Sequence, residues 1–148
     1  MTESLTLRAR RRIAASPERL FDAWTDPEQL TRWWGPVGVS CPAASVDLRV
    51  GGAYRIENLL PDGATVVIEG EFVAIERPRR LVYTWRVRPG PATEERVTVA
   101  FHPVGDETEV LVTHERIRDE PTRDGHALGW RGCLDGLSAH VTPAVSNR

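Results

Sequence analysis

The four histidines and two cysteines of this 148-residue chain are the first residues to test for chemistry. His102 and His114 flank Gly105-Asp106 in a stretch of two-residue periodicity. Two imidazoles on facing strands are a frequent start of a zinc site. A tight turn at Gly105-Asp106 sets Val97 opposite His114, which leaves the two histidines roughly 17 Å apart and on opposite faces of the sheet. Cys41 and Cys133 form no CxxC or zinc-ligand spacing and read as reduced cytosolic thiols, so no metal or cofactor is expected. His114 shares parity with Val110 and Val112 and points inward. It is either a core histidine bonded to a neighbour or a polar anchor in a cavity. His126 lies near the start of a helical pattern, where the dipole disfavours imidazolium. It is either a neutral ligand contact or base at a cavity mouth, or a boundary residue covering the helix start. Cys133 sits inside an apolar stripe and reads as a small hydrophobe. No serine–histidine–acid or cysteine–histidine order stands out, and no catalytic residue is assigned. Among the strand carboxylates, Glu57 has wet-face parity, while the direction of Glu69 and Glu71 depends on a bend at Gly70.

The five tryptophans carry more signal. Aromatic side chains bury about 150–250 Å² each and dominate packing. Plain core packing is one reading. The other has Trp34, Tyr54, Tyr83, Trp85 and Trp130 lining a cavity for a flat or lipophilic molecule, with tyrosine hydroxyls and indole N–H groups orienting its polar end.

The elements that must hold these residues follow from periodicity. Leu5 to Ile13 alternates apolar and polar residues, broken only at Arg11, and reads as a strand. Its run of Arg8, Arg10, Arg11 and Arg12 reads as a solvated, edge-protecting face. Ser16-Pro17-Glu18 and Asp26-Pro27-Glu28 are two helix starts, each with a capping residue, a first-turn proline and an acid, and Gly35-Pro36 stops the second helix. From Ser45 to Arg116 the period is two. Val46, Leu48 and Val50 read as one strand face before a hairpin turn at Gly51-Gly52, and five further strands follow as an antiparallel meander. A helix then runs from about Thr122 to Val141, with His126, Trp130, Cys133, Leu134, Leu137 and Val141 within about 100° of arc. Gly129, Gly132 and Gly136 form a second stripe. Each costs about 1 kcal/mol against alanine, so either a neighbour approaches closely or space is left beside the helix.

The chain is 41% hydrophobic and 27% charged with a net charge of -2, values of a soluble globular protein with no field to attract nucleic acid or an anionic membrane. All 19 basic residues are arginine, which reads as bacterial GC-rich coding bias. Met1 to Ser4 lack a basic and an apolar region, so no secretory signal is visible, and no segment inserts into a membrane. A single cytoplasmic domain over residues 1–148 is expected. Its order, β-α-α-β6-α, is an α+β fold in which a seven-stranded curved antiparallel sheet covers its apolar face with the long C-terminal helix. One helix fills such a sheet incompletely, and a hollow roofed by the two short helices is the default binding site.

Four motifs in order, Arg32-Trp33-Trp34-Gly35-Pro36, Asp47-Leu48-Arg49-Val50-Gly51-Gly52, Arg80-Leu81-Val82-Tyr83-Thr84-Trp85 and Gly129-Trp130-Arg131-Gly132-Cys133-Leu134-Asp135-Gly136-Leu137, carry a resemblance over about residues 8 to 142. The chain resembles the activator of heat-shock protein 90 ATPase homologue-like family of the START / birch-pollen-allergen-like (SRPBCC) superfamily. The resemblance implies the helix-grip fold and a deep cavity, often for lipophilic small molecules, with no universal catalytic residue.

The expected site is therefore a hollow for a hydrophobic small molecule. Its expected lining is Trp34 after the second helix, with Tyr54, Ile56, Ile68 and Phe72 from the first half of the meander. Tyr83, Trp85, Val99, Phe101, Val112 and His114 come from the second half, and His126, Trp130, Leu134 and Leu137 from the last helix. Two alternatives accompany this reading. One is a chaperone-interacting module with an exposed patch on the outer sheet or around Trp33-Trp34-Gly35-Pro36. The other is a cyclase- or hydrolase-type enzyme using the same hollow. A homodimer through a strand edge or the glycine stripe is compatible with either.

Overall fold

The computed structural model describes residues 4–36, 38–90 and 93–142. The reading of Met1 to Ser4 as lacking a signal falls largely outside them. Strand β1 (Leu5–Ile13) is followed by α1 (Pro17–Thr25) and α2 (Pro27–Trp33). Then come β2 (Ala44–Val46), β3 (Ala53–Leu59), β4 (Thr65–Glu76), β5 (Arg80–Arg88), β6 (Glu95–Val104), β7 (Glu107–Ile117) and α3 (Glu120–Val141). All strand pairs are antiparallel, and the seven strands lie in the order β1-β7-β6-β5-β4-β3-β2. The curved sheet packs its apolar face against the helices.

The helices start where their capping residues dictate. The Ser16 hydroxyl accepts from the Arg19 N–H at 3.1 Å. Asp26 serves two helices: its own N–H closes α1 on Asp22, and its carboxylate accepts from Glu28 to open α2. Asp119 caps α3 through the Thr122 N–H, which starts that helix two residues before the expected Thr122.

One strand is shorter than its alternation predicts. β2 ends at Val46, and Leu48 and Val50 are 41% and 66% exposed. The chain turns from Asp47 onward: Arg49 N–H bonds Asp47 O, and Gly52 N–H bonds Arg49 O. Gly51 takes a left-handed φ of 85° to end the turn. Beyond Val46, the apparent period of two at Leu48 and Val50 comes from turn residues, not from a pleated face. The strand irregularity near Gly70 lies three residues on: the β4–β5 register shifts between Phe72 and Ala74. Gly70 is needed for another reason, because any side chain there would collide with the Thr84 carbonyl of β5. Glu57, Glu69 and Glu71 do not converge on the apolar side; Glu57 and Glu69 pair with Arg55 and Arg88 at the surface. Arg11, which breaks the β1 alternation, reaches Asp135 of α3 at 2.5 Å and ties the helix to the edge strand.

The α3 glycines split into two kinds. A methyl on Gly132 would lie 2.7 Å from Pro36 Cα, and one on Gly136 would strike the Trp33 carbonyl. These two let the end of α2 lie against α3. A methyl on Gly125 or Gly129 would meet nothing within 4 Å. Close approach and open space thus occur on one helix.

Candidate functional site

A hollow of about 220 Å³ lies where α3, the end of α2 and the middle of the sheet diverge. From α3 it is bordered by Gly125, His126, Gly129, Trp130 and Cys133. Trp34, Pro36 and Val39 follow α2, and Asn58, Leu60, Val66, Ile68, Trp85 and Val87 rise from β3, β4 and β5 or just beyond. A second hollow of about 180 Å³ shares Trp85, Val87 and His126 and adds Glu95, Thr93, Arg118 and Thr122.

Of the residues expected to line a cavity, Trp34, Ile68, Trp85, His126 and Trp130 border the larger hollow. Tyr54, Ile56, Phe72 and Tyr83 border a separate void of only about 20 Å³ beneath α1 and α2. Val99, Phe101, Val112, Leu134 and Leu137 border neither; all are at most 2% exposed and fill the core. The polar ends expected to greet a ligand mostly have protein partners. Tyr83 Oη accepts from Trp24 Nε1 at 3.1 Å, and Tyr54 Oη donates to Thr84 O at 2.6 Å. Burial raises both hydroxyls well above the usual tyrosine range. Trp34 Nε1 donates to Asn58 Oδ1 at 3.0 Å. Trp85 Nε1 alone of the five indoles is buried without a partner among the described residues.

His114 is fully buried. Trp130 Nε1 lies 2.9 Å from His114 Nδ1, and His114 Nε2 lies 2.7 Å from Glu95 Oε1. An indole nitrogen only donates, so Nδ1 is the acceptor and the imidazole proton sits on Nε2, facing the carboxylate. Burial holds the His114 imidazole below its ordinary range, opposed by the Glu95 bond and reinforced by His126. His126 Nε2 approaches the same Oε1 at 2.9 Å, and the two imidazoles stack with centroids 4.5 Å apart. Burial pushes the Glu95 carboxyl up, but the two histidine hydrogen bonds outweigh it and hold it at about 2.

Glu95, His114 and His126 bring three metal-ligating atoms within 4.8 Å of one another. These donor types suit a cation, but the Trp130 bond to His114 does not. A metal on His114 Nε2 would put the imidazole proton on Nδ1, against the indole N–H of Trp130. A hydrogen-bonded carboxylate with two imidazoles is what the geometry supports. His102 is exposed on the other face, away from this cluster. Cys133 is inert: burial, partly offset by a bond to the Gly35 backbone, pushes its thiol up to about 12.

Sequence reasoning missed Glu95 and Asn58. Both carried a signal. Glu95 shares parity with Val97, Val99 and Phe101, and Asn58 with Tyr54 and Ile56, so each extends an inward face by two residues.

A curved antiparallel sheet gripping a C-terminal helix, with two short helices after its first strand, is the helix-grip fold of START-like proteins. The family described as activator of Hsp90 ATPase homolog 1-like protein matches residues 14–142, and the chain belongs to it. Among solved structures, a protein of Chromobacterium violaceum is 32% identical, with a TM-score of 0.85 over 93% of this chain and 97% of that one. A protein of this family from Silicibacter pomeroyi is 26% identical, with a TM-score of 0.81 over 91% and 96% of the two chains. An HSP90 activator from Plasmodium falciparum is 27% identical, with a TM-score of 0.72 over 91% and 94%. Comparison with curated proteins finds no match.

Proposed function

We propose that this chain is a cytoplasmic binding protein for a small hydrophobic molecule held between α3 and the sheet. The observation that carries the reading is the open space beside Gly125 and Gly129, in a wall that also contains Trp34, Trp85 and Trp130. Helix glycines that touch nothing cost stability, so the space they leave calls for an occupant. An apolar cavity of about 150 Å³ takes benzene, and pockets for drug-sized ligands begin near 300 Å³. The larger hollow, at about 220 Å³, suits one or two fused rings. A micromolar Kd requires about 8 kcal/mol, or roughly 330 Å² of apolar surface removed from water before the cost of association. Titration of hydrophobic metabolites against tryptophan fluorescence tests this. A saturable change is expected in the native chain and not in Gly129→Leu, whose side chain occupies the space. Silence across a broad panel overturns the reading.

A second reading, action on a chaperone, is favoured by the likeness to the Plasmodium falciparum HSP90 activator. Trp33 and Trp34 are 3% and 5% exposed and supply no docking patch. The exposed Leu48 and Val50 of the β2–β3 turn remain as apolar contacts. Stimulation of the ATPase of purified heat-shock protein 90 by this chain, weakened by Val50→Asp, would support it.

A further inference from the structure

Hydrogen-bonding capacity is left over where the two hollows meet. Glu95 is 6% exposed, and both histidine bonds end on its Oε1; Oε2 has no partner among the described residues. In its neutral form the His126 imidazole would face the Glu95 carboxylate with Nε2–H and leave Nδ1 as an acceptor, and no described residue bonds Nδ1. Trp85 supplies the opposite capacity, a buried indole N–H without an acceptor. His126 and Trp85 border both hollows, with ring centroids 5.9 Å apart. A group that both donates and accepts satisfies both sides at once, and a hydroxyl is the smallest that does. Buried polar groups in folded proteins are nearly always partnered, so the lone Trp85 N–H specifies an acceptor beside it.

Charge narrows the class further. Glu95 is a buried carboxylate whose partner His114 is neutral, so a ligand carboxylate would bring a second negative charge to it. The cation bordering the smaller hollow, Arg118, is 3.5 Å from the Asp119 carboxylate and 3.4 Å from Thr122 Oγ1. Its side chain is half exposed, so water and the Asp119 carboxylate screen its charge.

We propose that the site selects an uncharged, flat, apolar molecule bearing one hydroxyl. The rings lie against Trp34, Trp85 and Trp130, and the hydroxyl lies between His126 and Trp85, donating to Nδ1. This rests on the ligand-binding reading above and specifies its polar end.

Calorimetric titration with 2-naphthol, 2-methoxynaphthalene and 2-naphthoate tests it, at about pH 8, above the ordinary histidine range. The native chain should bind 2-naphthol roughly tenfold more tightly than its methyl ether, which keeps the acceptor and loses the donor. The naphthoate should bind most weakly. In His126→Phe, which keeps the ring stack and removes Nδ1, the naphthol and the ether should come within about threefold of each other. Equal affinities for naphthol and ether in the native chain overturn the proposal while leaving the hollow as a binding site. So do naphthoate binding tightest, or a naphthol preference that survives in His126→Phe. Binding of none of the three overturns the ligand reading itself. The native-chain comparison decides the matter if His126→Phe does not fold.

Discussion

The Trp130 indole N–H donates to Nδ1 of His114 across 2.9 Å, and this single bond fixes the state of the whole polar cluster. With Nδ1 engaged, the only place for the imidazole proton is Nε2, where it faces Glu95. Nitrogen-15 correlation spectra should show His114 as the Nε2–H tautomer at neutral pH. In Trp130→Phe the bond is lost, a buried acceptor is left bare, and stability should fall by roughly 1–3 kcal/mol. Protonation of His114 should also become easier. A native-chain spectrum showing Nδ1–H would contradict the assignment.

Acid should destabilise the protein through this cluster. The His114 imidazole titrates lower in the folded chain than in the unfolded one. As pH falls below the ordinary histidine range, the unfolded state takes up a proton that the folded state refuses, and stability is lost. Glu95 acts in the same direction at lower pH. Its folded carboxyl is held at about 2, so its contribution is present above the ordinary glutamate range and is lost as pH falls towards 2. Thermal midpoints measured from about pH 7 to about pH 3 should drop more steeply in the native chain than in Glu95→Gln. Parallel curves would show that the carboxylate is not held by its histidines.

The four α3 glycines should respond in opposite senses. Gly125→Ala and Gly129→Ala add a methyl to open space and should stabilise by up to about 1 kcal/mol through helix propensity. Gly132→Ala and Gly136→Ala push a methyl into Pro36 and the Trp33 carbonyl and should cost roughly 1–3 kcal/mol. Chemical denaturation of the four variants checks this. A uniform response would mean that α3 does not lie where the sheet and α2 hold it.

Asn58 joins the roof to the sheet. Its Oδ1 accepts from Trp34, and its Nδ2 donates to the carbonyls of Ile56 and Val66, each at 3.2 Å. Asn58→Leu leaves a buried indole N–H unpaired and should cost roughly 1–3 kcal/mol. Because Trp34 borders the hollow, ligand affinity should fall with it. A variant as stable as the native chain would show that this bond does not hold Trp34 in place.

How far the sequence could be read depended on how local each feature is. The two-residue turn at Gly105-Asp106 was enough to place Val97 opposite His114, and the strands pair in that register. The capping residues Ser16 and Asp26 start α1 and α2 as their types require. Leu48 and Val50 misled because a turn can mimic a strand's alternation over a few residues. The fate of the α3 glycines was not legible at all. Whether a glycine faces Pro36 or empty space depends on where the end of α2 comes to rest, which helical periodicity does not encode. Glu95 was within reach, since it continues the parity of Val97. Its partnership with His126 depends on the docking of a helix more than thirty residues away in sequence.

Native mass spectrometry of the chain purified gently from its own cells, beside Gly129→Leu produced the same way, tests most directly that the hollow is a place for a small molecule. The native chain should retain a discrete small mass, and the filled variant should fly alone. A native chain with nothing bound, or the same mass carried equally by both, would contradict the account.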